Sequence, residues 1–300
     1  MKDLPITLFT NMMFTAVLET LAVSLLAISA QASPLPGHLH HQHKRSDSES
    51  TLGITYSPYE DNGDCKSTSE VASDLAKLSS YKLIRLYGVD CNQVANVLQA
   101  KADGQKFFLG IYDMSDIAGA VATIAEAVKQ YASWDDVYTV SVGNELVNSG
   151  EATVSQIAEY IKTARAALEA AGYTGPVVSV DTHVAILNNP GLCDLSDYIA
   201  FNAHAYWDGN VLPENAGEWL LGNIEAVSSC CGGKKTLCLE SGWPTQGQDN
   251  GICVPSKENQ ESAMSSISEA CGNDTIGFTA FNDLWKNPGS KGVEQYWGML

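Results

Sequence analysis

The sequence predicts an α/β fold, a (β/α)8 TIM barrel forming a single catalytic domain over residues 46–300, and three observations carry that expectation. Short apolar runs alternate with Ala-rich helical stretches about eight times, the pattern of parallel strands joined by crossover helices. The strand candidates are apolar along most of their length instead of alternating, as strands covered on both faces must be. No G-x-G-x-x-G or G-K-S/T fingerprint occurs, so the runner-up, an open doubly wound sheet, lacks the motif that would favour it.

The elements follow in order. Strand candidates are Leu52–Ser57, Lys82–Tyr87, Lys106–Tyr112, Val137–Val142, Pro176–Asp181, Tyr198–His204, Lys235–Leu239 and Thr275–Phe281. Ser67-Thr68-Ser69-Glu70 is a capping box that opens a helix running to Leu78. Asn92 to Lys101 ends before Gly104. Ile117–Tyr131 is rich in Ala and Val without a breaker after Gly119, and Val154–Ala171 carries one apolar face and stops at Gly172. Asn215–Ser228 and Lys257–Ala270 follow. The helix after His183 is poorly marked, and an eighth has room only in the C-terminal tail.

The N-terminus reads as a targeting segment. Lys2 precedes an apolar run from Met12 to Ala30 that closes on Ala30-Gln31-Ala32, a small-x-small cleavage pattern. Residues 1–32 are therefore expected to be a signal peptide. A membrane anchor is the alternative, disfavoured by Glu19 within the run and by the lack of a strongly basic flank after it. Residues 33–45 read as a pro-segment holding His38, His40, His41 and His43 and ending at the dibasic pair Lys44-Arg45, which puts the mature start near Ser46. Export makes the eight cysteines candidates for disulfides instead of metal ligands. Cys65 and Cys91 follow adjacent strands and are expected to pair; the other pairings stay open. No C-x-x-C pair lies beside a histidine, and no metal or cofactor is expected. Asn273-Asp274-Thr275 is a glycosylation sequon.

A net charge of −18 disfavours a nucleic-acid partner and suits a soluble protein working on a neutral polymer. After signal removal no membrane partner is expected, and the mature chain is expected to be a monomer.

Chemistry in a barrel sits where strands end, and two carboxylates lie there. Val140-Ser141-Val142-Gly143-Asn144-Glu145 ends the fourth strand, and Thr236-Leu237-Cys238-Leu239-Glu240-Ser241-Gly242-Trp243-Pro244 ends the seventh. A lone glutamate at a strand end is commonly a surface ion-pair residue. Two, on strands that face one mouth from opposite arcs, form the pair that glycoside hydrolysis needs: one acid to protonate the departing oxygen, one carboxylate to attack the anomeric carbon.

Asn144-Glu145 and Glu240-Ser241-Gly242-Trp243-Pro244-Thr245 resemble the two catalytic motifs of glycoside hydrolase family 17, the β-1,3-glucanases of plants and fungi. Gly53-Ile54-Thr55-Tyr56-Ser57-Pro58-Tyr59, Ile84-Arg85-Leu86-Tyr87-Gly88, Phe278 to Lys286 and Val293 to Gly298 resemble its fungal cell-wall members, so the likeness runs along nearly all of the mature chain. Leu239 departs from the small residue that many relatives carry there. The resemblance implies a secreted, extracellular, cell-wall retaining hydrolase of β-1,3-glucan, endo-acting, with Glu145 as acid/base and Glu240 as nucleophile. It implies that Asn144 bonds the sugar 2-hydroxyl and that Tyr56 and Tyr206 position the sugar or hold Glu240. It also implies that Asp283, Lys286 and Glu294 form a charged cluster near the acid/base, with a structural ion pair as the alternative. Trp207, Trp243 and Trp285 are candidate sugar platforms, with core packing as the alternative, and His183 and His204 could line the cleft. Transglycosylation, a β-1,4-mannan substrate and a non-catalytic glucan-binding protein are the rival functions.

Overall fold

The computed structural model describes residues 51–300; the expected signal peptide, pro-segment and Lys44-Arg45 lie outside the described residues. Within them the chain alternates strand and helix: β1 (Gly53–Thr55), α1 (Thr68–Lys77), β2 (Leu83–Arg85), α2 (Gln93–Gln99), β3 (Lys106–Ile111), α3 (Ile117–Tyr131), β4 (Val137–Val142), α4 (Val154–Ala170), β5 (Val177–Val178), β6 (Val180–Thr182), α5 (His183–Asn188), β7 (Ile199–Asn202), α6 (Ala205–Asp208), α7 (Ala216–Cys230), β8 (Thr236–Ser241), α8 (Lys257–Cys271) and β9 (Thr275–Gly277).

All pairings are parallel, in the order β5-β4-β3-β2-β1-β9-β8-β7-β6. The two ends of that order are successive pieces of one barrel strand, because β5 and β6 are separated by Ser179 alone. The sequence predicts eight strands; the ninth arises from this break. Ser179 turns its N–H to Ser196 Oγ at 2.8 Å instead of into a ladder. The barrel therefore closes through a chain segment that pairs with β4 below the break and with β7 above it.

Two apolar layers hold the barrel, as a sheet covered on both faces requires. Leu83, Phe108, Val178, Val180, Tyr198, Ala200, Leu237, Leu239 and Ile276 fill its interior. Strand residues on the opposite face, among them Ile54, Phe107, Leu109, Val140, Phe201 and Cys238, pack against the helices. The predicted helices match closely. Ile117–Tyr131 is a helix over its full predicted span, and Ser67 caps α1 with Glu70 bonding back to its N–H at 2.8 Å. The poorly marked fifth helix is six residues long. No helix follows β9, where Pro288 and two left-handed glycines, Gly289 and Gly292, interrupt the tail. Among the described residues no helix is long and apolar enough to cross a membrane.

The expected Cys65–Cys91 disulfide is present, with Cα atoms 5.2 Å apart, and a second joins Cys193 to Cys231. The first closes a loop of 26 residues, worth about 3–4 kcal/mol in the chain-entropy account. Cys230, Cys238, Cys253 and Cys271 remain thiols, so the even count of cysteines does not translate into four bridges. Asn273 is exposed in the turn that leads into β9, at the floor of the barrel.

Candidate active site

Glu145 and Glu240 reach the barrel mouth by different local devices. Beyond β4 the chain turns left-handed twice, at Gly143 (φ +76°) and at Glu145 itself (φ +56°). Gly143 is required twice over: its φ favours glycine, and a Cβ would lie 2.7 Å from Leu146. Glu240 depends on a bulge. Phe201 pairs with Cys238, but the next pairing is Asn202 with Glu240, so Leu239 is skipped. Leu239 already faces the barrel interior. Strict alternation would send Glu240 outward with Cys238, and the extra residue instead turns two successive side chains inward. Gly242 then lets the chain after β9 pass close by, since a Cβ there would sit 2.1 Å from Phe278 O.

Arg85, at the end of β2 and 1% exposed, is the hub between the two motifs. Its Nη1 donates to Glu240 Oε1 at 2.9 Å, Leu239 O at 2.9 Å and Asn202 Oδ1 at 3.3 Å, and its Nη2 donates to Asn144 Oδ1 at 2.8 Å. Tyr87 Oη donates to Glu240 Oε1 at 2.9 Å, and His204 Nε2 lies 3.5 Å from Glu240 Oε2. Asn202 Nδ2 donates to Glu145 Oε1 at 2.7 Å and to Asn144 Oδ1 at 3.3 Å, tying the acid/base candidate to the same network.

These surroundings split the two carboxyls. Burial pulls Glu240 upward, but the Arg85 charge, the His204 hydrogen bond and the Lys286 charge outweigh it and hold the group at about 2. Burial raises Glu145, and the negative charge of Glu240 raises it further against the single donor Asn202. One carboxylate is kept ionised and one is biased to hold a proton, the division that acid-assisted covalent glycoside cleavage uses.

The pair opens into a groove of about 1460 Å³. Asn144, Lys286 and Glu294 line it together with Tyr59, Trp207 and Trp285. Asn144 Oδ1 is taken up by Arg85 and Asn202, which leaves its amide N–H groups for a ligand hydroxyl. Lys286 bonds Asp283 at 2.8 Å, and its charge helps hold Glu240 low. Asp283 itself is 4% exposed and outside the groove lining.

Three expected site residues lie elsewhere. Tyr56 donates to Asp74 of α1 at 2.9 Å, Tyr206 to Gln248 O at 2.6 Å, and the Trp243 indole to Val254 O at 3.0 Å; all three are buried in the helix-facing core. Tyr56 follows the last residue of β1 and alternates away from the mouth, Tyr206 lies in α6, and Trp243 comes after the end of β8. The residue holding Glu240 is Tyr87, and with Arg85 and Asn202 it escaped sequence reasoning. A signal for Arg85 existed, since a guanidinium inside Leu83-Ile84-Arg85-Leu86 demands a buried anion. Among the described residues no group of three or more His, Cys, Asp or Glu side chains is disposed to hold a metal ion.

Residues 53–298 match the model of the BtgE/BtgC glycoside hydrolase domain. The chain is 60% identical over 249 residues to "Probable family 17 glucosidase SCW4" of Saccharomyces cerevisiae, covering 83% of this chain and 64% of that one. It is 59% identical over 248 residues to "Cell surface mannoprotein MP65" of Candida albicans, covering 82% and 66% respectively. The match thus spans roughly two thirds of those relatives' length. The crystal structure of a family 17 β-1,3-glucanosyltransferase from Rhizomucor miehei superposes with a TM-score of 0.70 at 25% identity, over 83% of this chain and 92% of that one.

Proposed function

Because this chain belongs to the BtgE/BtgC glycoside hydrolase family, we propose that it is a retaining glycosidase of cell-wall β-1,3-glucan, with Glu240 as nucleophile and Glu145 as acid/base. The single observation that carries this reading is the opposite tuning of two carboxyls in one groove, Glu240 held at about 2 and Glu145 raised.

In this mechanism a glucan strand lies in the groove and Asn144 donates to the 2-hydroxyl of the reacting sugar. Glu145 gives its proton to the departing glycosidic oxygen while ionised Glu240 attacks the anomeric carbon, and a glycosyl–Glu240 ester forms. Glu145, now a carboxylate, takes a proton from the incoming hydroxyl, whose oxygen displaces Glu240; two inversions return the β configuration. The charge lost from Glu240 on ester formation lowers one of the influences that keep Glu145 protonated, which suits its second role as base.

The incoming hydroxyl can belong to water or to a second sugar. Transfer to sugar is favoured as a second reading by the likeness to the Rhizomucor glucanosyltransferase. An extracellular, cell-wall location is supported by the expected export signal and by the likeness to a cell surface mannoprotein. The mature chain starts at Ser46; N-terminal sequencing of secreted protein checks this, and a retained Met1–Arg45 segment would refute it. The functional test is digestion of laminarin beside β-1,4-mannan, followed by NMR of the first anomer released. Laminarin cleavage with a β anomer first is expected. Mannan cleavage, an α anomer, or binding without cleavage each sinks the reading.

A further inference from the structure

The break in the fifth barrel strand has a use that the ladder alone does not explain. Below Ser179, Val177 and Val178 pair with Val140 and Ser141 of β4. Above it, Val180, Asp181 and Thr182 pair only with Ala200, Phe201 and Asn202 of β7. The edge of this upper piece that would have met β4 is occupied by the turn carrying Glu145. Val180 O accepts the Glu145 N–H at 2.9 Å. Asp181 Oδ2 accepts the Val147 N–H at 2.9 Å, and Oδ1 accepts the N–H groups of Asn148 at 3.1 Å and Thr182 at 2.9 Å. Thr182 Oγ1 donates to Asn148 Oδ1 at 3.0 Å.

Asp181 is 4% exposed and makes no ion pair among the described residues. A buried carboxylate without a cation is costly, and main-chain N–H groups are what compensate it here. They are the N–H groups of the residues immediately after Glu145. Glu145 in turn holds a left-handed conformation that a glutamate adopts only under outside constraint.

We infer that Asp181 is a positioning residue for Glu145: with strand five broken at Ser179, its carboxylate grips the turn at Val147 and Asn148 and sets where the acid/base carboxyl stands over the groove. An acceptor with two oxygens is needed, because asparagine would present an NH2 to an N–H that now finds an acceptor. The inference rests on Glu145 being the acid/base, and the test separates the two claims.

The test compares Asp181→Asn on laminarin and on an aryl β-1,3-gluco-oligoside whose leaving group needs no proton. A positioning role makes kcat/KM on laminarin fall by about 100-fold, the order expected of an ångström-scale misplacement, while the aryl-release burst changes only a few-fold. Asp197→Asn is the structural control. It removes a carboxylate that accepts the Val177 N–H at 2.7 Å at the floor of the same strand, far from either glutamate in its contacts, and should show no such split. An equal loss on both substrates in Asp181→Asn, or a loss that merely tracks melting temperature as in Asp197→Asn, overturns the inference. Glu145→Ala is run beside them. If it shows no split, the acid/base reading fails; if it does and Asp181→Asn does not, the positioning role fails. Should Asp181→Asn not fold, Asp181→Glu decides, since it keeps a two-oxygen acceptor but displaces it from the Val147 and Asn148 N–H groups by one methylene: a several-fold split in the same direction supports the inference, and none refutes it.

Discussion

Glu240 and Glu145 end two strands of one barrel and meet the same asparagine network, yet the protein treats them oppositely. Glu240 is surrounded by donors from two segments, Arg85 and Tyr87 from β2 and its extension and His204 beyond β7, with the Lys286 charge nearby. Glu145 has one side-chain donor, Asn202, and is held mainly through its backbone by Val180. On the proposed roles, the difference teaches that a nucleophile needs its charge stabilised before substrate arrives, whereas a proton donor needs its charge left unstabilised and its position imposed from the main chain. The two positions should respond in opposite ways to mutation and to pH.

The largest expected effect is the loss of Glu240. Glu240→Ala should abolish turnover on every substrate, since no covalent intermediate can form. Glu145→Ala should cost about 10²–10⁴-fold on laminarin, while an aryl substrate with a good leaving group still loads the enzyme. Azide, which needs no base, should then rescue Glu145→Ala and yield a β-glycosyl azide. A β-azide from Glu240→Ala instead would reverse the two roles.

Stability provides a second contrast. Glu240 lies below its ordinary value of 4.5, so its ionised form contributes stability that is full above 4.5 and lost as pH falls through about 2. Glu145 lies above its ordinary value, so its contribution is present below 4.5 and lost as pH rises through its raised folded value. Glu240→Gln leaves the Arg85 guanidinium buried and uncompensated and should destabilise by about 3–5 kcal/mol. Glu145→Gln should be neutral or stabilising near pH 7. Thermal melts at neutral pH check both, and a like-signed pair of shifts would break the comparison.

Tyr87→Phe sharpens it further. Removing one donor from an ionised carboxylate raises its pKa, so the acid limb of kcat/KM should move to higher pH while the alkaline limb, set by Glu145, stays. A pH profile on laminarin reads both limbs. The smallest effect belongs to Tyr206→Phe. It loses one hydrogen bond in the core, worth about 1 kcal/mol, and should lower the melting temperature slightly with kcat unchanged. A fall in kcat would restore Tyr206 to the site.

Much of this molecule is legible along the chain. The alternation of apolar strands with Ala-rich helices determines a parallel α/β fold, because parallel strands need crossovers and two covered faces, and its eight repeats point to a barrel. Caps and glycines bound α1, α3 and α4 where the sequence places them. Two glutamates at strand ends stand out as the candidate pair, and the chain order of Cys65 and Cys91 after adjacent strands anticipates their bridge. What a linear pattern cannot carry is what a buried residue is buried against. Tyr56, Tyr206 and Trp243 read as mouth residues but pack toward the helices: Tyr56 by alternation just past β1, Tyr206 because the chain is already helical in α6, and Trp243 beyond the end of β8. Glu240 faces the mouth only because the ladder skips Leu239, and Glu145 has its place only because strand five breaks at Ser179 and meets the turn from another part of the chain. Arg85 bonds Glu240 directly across 155 residues of sequence and reaches Glu145 only through Asn202, 117 residues away. Register shifts and cross-barrel contacts are set by the closure of the whole sheet, so only the tertiary structure could decide them.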